Sequence, residues 1–170
     1  GANQRSYMMY ISSTTNKLFI YLYFQDGTST YQNFTTIPNA QQWYHVVMTY
    51  KSGEGIKLYL NGEKDAQKTS IYGNIQKSPG YDLFIGCRYD SVGAREFLNG
   101  KLDEVKIYPF ALTPQQIAQN YNDSKDGYSN VSIIVKEETS IDEIWKCKVT
   151  PSDGETDGLT KSSNSITIVP

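Results

Sequence analysis

Eighteen acidic residues, one histidine and two cysteines are what this 170-residue chain offers for chemistry. A retaining glycosidase needs two carboxylates about 5 Å apart, commonly from positions two residues apart on one strand face. The acids here come as adjacent pairs, Asp103-Glu104, Glu137-Glu138 and Asp142-Glu143. Neighbours on a strand face opposite sides, so no pair makes that arrangement, and no Glu-x-Asp-x-x-Glu run occurs. His45 is the sole histidine. A metal centre or a nucleophile–base couple needs partners that do not accompany it. It stands at a strand start beside Trp43, where alternation predicts both as packed core side chains, His45 hydrogen-bonded. No enzymatic activity is expected.

Binding chemistry is better represented. Arg88, Asp90 and Arg95 fall in the polar stretch "RYDSVGAREF" and form the leading ligand-binding cluster. Tyr31, Tyr72, Tyr81, Tyr89 and Tyr128 lie at or near turns; each can stack on a sugar or cover a sheet edge. In "DGETDG", Asp153, Glu155 and Asp157 alternate before Gly158 like the first half of a calcium loop. The twelfth position is Asn164 rather than the bidentate Glu that such a loop requires, so an acidic strand-connecting turn is expected. Cys87 and Cys147 would bridge only in an oxidising compartment; the alternative is two separate small thiols. Asn33, Asn122 and Asn130 each open an Asn-x-Ser/Thr sequon and are glycosylation candidates.

Composition narrows the function classes. The net charge is −2 with 20% charged residues, and no basic patch of the kind that tracks nucleic acid is present. No apolar run approaches the roughly 20 residues of a spanning helix, so membrane insertion is not expected. Fourteen tyrosines beside abundant Ser, Thr and Asn suit strands and polar loops, a surface common on extracellular proteins. The opening "GANQRSYMMY" enters a strand almost at once, as a mature or excised piece would.

The elements that must position these groups read as strands. "YMMYI" (7–11) and "LFIYLYF" (18–24) flank a polar turn, Asp26-Gly27 tips a second turn, and "YQNFTTI" is a third strand closed by Pro38. Val46, Met48 and Tyr50 point one way and Val47 and Thr49 the other. Ile56, Leu58 and Leu60 form the next apolar face, and Asn61-Gly62 closes a tight turn into Glu63. "YDLFIGCRY" (81–89) and "GKLDEVKIYPF" (100–110) also alternate and are expected as strands. Thr113 caps one short helix with Pro114 at its first position. "NDSKDG" (122–127) reads as a linker, and about three more strands follow in "NVSIIVKEE", "IWKCKVTP" and "NSITIV". The pattern is an all-β antiparallel sandwich with one helical turn.

Taken in order, "QQWYHVVMTYKSGEGIKLYLNGE", "LFIGCRYD" and "FLNGKLDEVKIYPFALTPQQIAQNY" resemble the laminin-G-like, concanavalin A-like jelly roll of bacterial and archaeal surface proteins. The resemblance covers roughly residues 5–121 and is carried most specifically by "GKLDEVKIY" followed by "ALTPQQI". It implies a domain over 1–121, apparently without its first strands, a linker at 122–127, and a β tail over 128–170 that resembles the last strands of an immunoglobulin-like repeat. By position it places a rim Ca²⁺ between Asn16 and Asp90. The function it implies is a non-catalytic, extracellular or cell-surface module that binds glycan or protein through rim loops. An unfilled sheet edge is association-prone. The alternative is therefore a structural subunit of a filament, sheath or surface assembly, completed by strand addition from copies of itself or from the rest of its parent chain.

Overall fold

The structure, a computed structural model, describes residues 5–90, 92–125, 139–149 and 158–169. Three strands, β1 (Tyr7–Ile11), β2 (Leu18–Tyr23) and β3 (Ser29–Asn33), pair antiparallel in that order. A second sheet is the meander β4 (Val46–Lys51), β5 (Gly55–Leu60) and β6 (Glu63–Thr69). Alternation explains how the two meet. Leu18, Ile20 and Leu22 of β2 share one face. On the other sheet Val46, Met48 and Tyr50 lie in register with Leu60, Leu58 and Ile56. These faces close on each other, with Phe24 and Phe34 completing the buried cluster.

Turn chemistry sets the register. Asn61 and Gly62 both have positive φ, 51° and 83°, the mirror-image turn whose twist matches a hairpin. Asp26 Oδ1 accepts from the Thr28 amide and hydroxyl at 2.9 and 2.7 Å, holding the β2–β3 turn. One edge of each sheet, β3 in the first and β6 in the second, is clasped to the other. Asp65 on β6 accepts from the Thr35 amide at 2.6 Å, the Thr36 amide at 3.1 Å and the Thr36 hydroxyl. Lys68 Nζ reaches Thr30 Oγ1 at 2.8 Å.

The helix α1 (Pro114–Ser124) starts with a full capping box: Thr113 Oγ1 accepts from the Gln116 amide, and Gln116 Oε1 accepts from the Thr113 amide. Its Ile117 is wholly buried. A Cβ at Gly62 would stand 3.1 Å from Tyr121 and 3.3 Å from Ala118, so the helix rests on the β5–β6 turn. It runs through Ser124 with Lys125 as its C-cap, past the boundary expected at 121 and into the segment expected as a linker.

Two further expectations are corrected. Of the run 81–89, only its end enters a ladder, β7 (Arg88–Asp90) paired with β8 (Gly93–Arg95), and 100–110 carries no strand. An alternating sequence becomes a strand only where a neighbouring edge accepts its backbone groups. Trp43, expected in the core, is 62% exposed. No strand is formed between Gln41 and Val46, and Gln41 itself has φ 61°, so strand parity does not carry back to Trp43. In the described tail, β9 (Ile144–Trp145) pairs with β12 (Ile166–Thr167), and β10 (Lys148–Val149) pairs with β11 (Lys161–Ser162). The expected strand at "NVSIIVKEE" lies outside the described residues.

Candidate functional site

Arg88, Asp90 and Arg95, expected in one polar loop, lie instead on the paired strands of the β7–β8 hairpin. Arg88 sits opposite Arg95 and Asp90 opposite Gly93. Two like charges directly across a ladder repel, and the chain answers with Glu96. Arg88 Nη1 donates to both Glu96 carboxylate oxygens, at 2.9 and 3.2 Å. Glu96 escaped the sequence reading; its position one residue past β8, at φ 52°, is what turns it back toward Arg88. The Phe84 ring stacks on Tyr89 with centroids 4.5 Å apart and planes at 6°. Leu98 donates its amide to the Gly86 carbonyl at 2.8 Å and closes the loop. The hairpin thus combines guanidinium groups with an exposed aromatic pair, chemistry suited to hydroxyls, carboxylates and sugar rings.

The remaining expected sites are dispersed. Asn16 lies in the β1–β2 turn at φ 54°, its amide donating to the Ser12 carbonyl at 2.8 Å. Among the described residues no group of three or more His, Cys, Asp or Glu is placed to hold a metal ion. Asp153, Glu155, Asp157, Tyr128 and Asn130 lie outside the described residues. Cys87 is half-buried and Cys147 exposed, and both are free thiols, so the bridge offered by the sequence is not formed in this structure. Asn33 is half-buried on β3, its carboxamide donating to the Phe34 carbonyl at 3.1 Å. Asn122 is exposed on α1. No helix among the described residues is long and apolar enough to cross a membrane.

His45 is packed as expected, against the Tyr121 ring at 5.9 Å. Its amide donates to Asn61 Oδ1 at 3.0 Å, and its carbonyl accepts from the Asn61 amide at 2.8 Å. The expected ring hydrogen bond is not complete: Nδ1 is buried without a partner. Burial pushes the His45 pKa below its ordinary 6.5; Lys106 adds to the fall and Glu104 opposes it.

A second surface was not foreseen as a unit. On the outward side of β1–β3, Tyr10 faces Phe19 and Tyr21 faces Tyr31 in register. Ring centroids are 5.5 Å apart for Tyr10–Phe19 and 5.2 Å for Tyr21–Tyr31. The two diagonals, Tyr10–Tyr21 and Phe19–Tyr31, are both 6.1 Å. Of these residues only Tyr31 stood out in the sequence. The available signal was "LFIYLYF", in which one alternate set is aliphatic and the other aromatic, where a solvated face would be polar.

Two antiparallel sheets closed on one apolar core, with a charged hairpin and an aromatic sheet face, define an all-β sandwich domain. The chain belongs to the Laminin_G_3 family of the concanavalin A-like lectin/glucanases superfamily, whose sequence profile matches residues 1–118. Over 114 residues it is 32% identical to the human adhesion G-protein coupled receptor D1, covering 65% of this chain and 12% of the receptor. The bovine receptor of the same name is 30% identical over 89 residues, 49% of this chain and 9% of that protein. The chain therefore spans a small fraction of the curated relatives it matches. Among solved structures it is similar to an S-layer domain-containing protein from Clostridium thermocellum, with TM-score 0.42 and 19% identity over 67% of this chain and 61% of that one. Laminin G-like domains are commonly binding modules in adhesion proteins.

Proposed function

We propose that this chain is a non-catalytic recognition module of a secreted or cell-surface protein that holds a glycan or protein ligand at the β7–β8 hairpin. The observation that carries the reading is the hairpin itself. Arg88 and Arg95 share one ladder rung beside the stacked Phe84–Tyr89 pair, away from the buried cluster. Family membership supports it, since binding at loops leaves the sandwich free to serve only as scaffold. Binding of a glycan or protein array by the full chain, with Arg88→Ala and Arg95→Ala as variants, tests it. Ligand should be recovered chemically unchanged, and each variant should bind roughly tenfold more weakly. Unchanged binding by both variants, or release of a cleaved product, overturns it. A Ca²⁺ held by Asn16 and Asp90 belongs to the same proposal, and so do glycans on Asn33, Asn122 and Asn130. Calorimetric titration of EDTA-stripped chain tests the first and intact mass of secreted protein the second.

One observation favours a second reading, a subunit of a surface assembly. Tyr7, Met9 and Ile11 lie on the core side of β1 yet are 40–46% exposed, and Leu102, Val105 and Ile107 are more exposed still. A strand added from another chain would cover such a surface. Light scattering across a dilution series decides between them: a monomer sinks this second reading, and a dimer or polymer that survives dilution favours it over the first.

A further inference from the structure

We propose that the outward face of β1–β3 is a binding platform for neutral polysaccharide, taking pyranose rings against Tyr10, Phe19, Tyr21 and Tyr31. The inference goes beyond the hairpin reading and uses none of its residues. It starts from a departure in the alternation. The inward set of β2 is Leu18, Ile20 and Leu22; the outward set is Phe19, Tyr21 and Tyr23. An antiparallel sheet with one buried face normally turns polar residues to water. Here the neighbouring strands extend the aromatic set, Tyr10 from one side and Tyr31 from the other.

The four rings form a closed quadrilateral of centroids with sides of 5.5, 6.1, 5.2 and 6.1 Å. Neighbouring planes differ by 21–32°. Tyr23 stacks 6.2 Å beyond Tyr21 but is itself buried and ends the accessible array. The quadrilateral is about the footprint of one sugar ring. Tyr10 and Tyr31, on the flanking strands, remain 37% and 49% exposed. An exposed apolar patch of this continuity marks a binding surface rather than ordinary scatter.

Charge and polarity select the occupant. The outward residues of the three strands are Met8, Tyr10, Phe19, Tyr21, Tyr23, Ser29, Tyr31 and Asn33, with no charge among them. Lys68 touches the margin only, its Nζ 5.7 Å from the Tyr31 centroid. Such a face offers little to a phosphate or a charged peptide. It suits a ligand that is itself flat, neutral and rich in hydroxyls. The weakly positive C–H groups of a sugar ring meet the negative π-faces, and its hydroxyls meet the tyrosine hydroxyls. The rings are held by strand pairing and by one another, so little side-chain freedom is lost on binding.

The test is native electrophoresis of the full chain through gels containing soluble β-1,4-glucan, xylan or galactomannan. At least one of these should retard the wild type, and about 0.5 M salt should not release it, since no ion pair holds the ligand. Tyr10→Ala and Tyr31→Ala should each weaken retardation roughly tenfold, while Leu159→Ala, at an 84% exposed residue that belongs to neither surface, leaves it unchanged. A second measurement needs no variant. The retarding polysaccharide should protect Tyr10 and Tyr31 of wild-type chain from nitration and leave Tyr72, 70% exposed, reactive. Absence of retardation in all three gels overturns the proposal, as does retardation that survives both tyrosine substitutions or nitration without protection. So does a face whose alanine variants only convert a self-associated chain to monomer.

Discussion

Ile20, Leu22, Phe34, Ile56 and Leu58 are wholly buried between the two sheets. Along 83–110 residues of the same types, Leu83, Ile85, Leu102, Val105 and Ile107, are 53–61% exposed. Both regions alternate, and their local sequence is equally suited to strands. The difference lies in partners. β2 and β5 are each flanked on both sides, so every inward side chain finds a facing sheet. The run at 100–110 is not placed in a ladder, and its apolar groups meet water. Alternation states a need for a partner, and topology decides whether the need is met.

Truncation of a core residue sharpens the contrast most. Phe34→Ala should cost about 3–5 kcal/mol in urea unfolding, a large share of what a domain of this size has to lose. Ile107→Ala should stay within about 0.5 kcal/mol. A cost for Ile107→Ala approaching that of Phe34→Ala would break the comparison, because it would mean that 100–110 is covered in solution.

Glycine substitutions repeat the comparison in the backbone. A Cβ at Gly55, φ 105°, would fall 2.0 Å from the Lys68 carbonyl oxygen across the ladder. Gly55→Ala must therefore part β5 from β6, costing at least about 2 kcal/mol. Gly93 has φ 113° and nothing within 4 Å of its would-be Cβ, so Gly93→Ala should cost only the backbone strain, about 1 kcal/mol. Equal thermal midpoints for the two variants would contradict the packing described for the β5–β6 ladder.

The next effect belongs to the clasp between sheet edges. Burial alone would raise the Asp65 pKa, but the hydrogen bonds from Thr36 and Thr35 outweigh it and hold the carboxyl below its ordinary 3.8. A depressed carboxylate stabilises the fold above the unfolded value and loses that contribution as pH falls through the folded one. Asp65→Asn should cost about 1–3 kcal/mol at neutral pH and flatten the acid limb of the stability curve below about pH 4. An unchanged acid limb would mean that Asp65 is not the group responsible.

Legibility in the sequence follows the range of the forces involved. Asn61-Gly62, the Thr113 N-cap and the pairing of Val46, Met48 and Tyr50 with Ile56, Leu58 and Leu60 depend on residues a few positions apart, and all are as expected. The β7–β8 pairing that sets Arg88 opposite Arg95 is equally local, yet the stretch reads as a polar loop. Trp43 and 100–110 depend on whether the chain is extended and what lies beside it, which no short window contains. The aromatic face needed three strands in register before its rings became one surface. Glu96 needed a positive φ to turn back onto Arg88.

His45 joins the two regions and carries the smallest of these effects. It stands at the start of β4, against Tyr121, while Lys106 and Glu104 from the exposed run act on it electrostatically. Burial, then Lys106, lowers its pKa, and the orphaned Nδ1 is buried where a proton would find no acceptor. The unfolded chain therefore binds the proton first. As pH falls through the unfolded value near 6.5, the unfolded state gains and the fold loses stability, until His45 also charges in the folded state at lower pH. Urea midpoints should drop between pH 7.5 and 5, and His45→Gln should remove that drop. Lys106→Ala should shrink it, because one cation less opposes the charged ring. If Lys106→Ala leaves the drop untouched, the run at 100–110 does not stay beside the sandwich, and the two regions are electrostatically as separate as their packing.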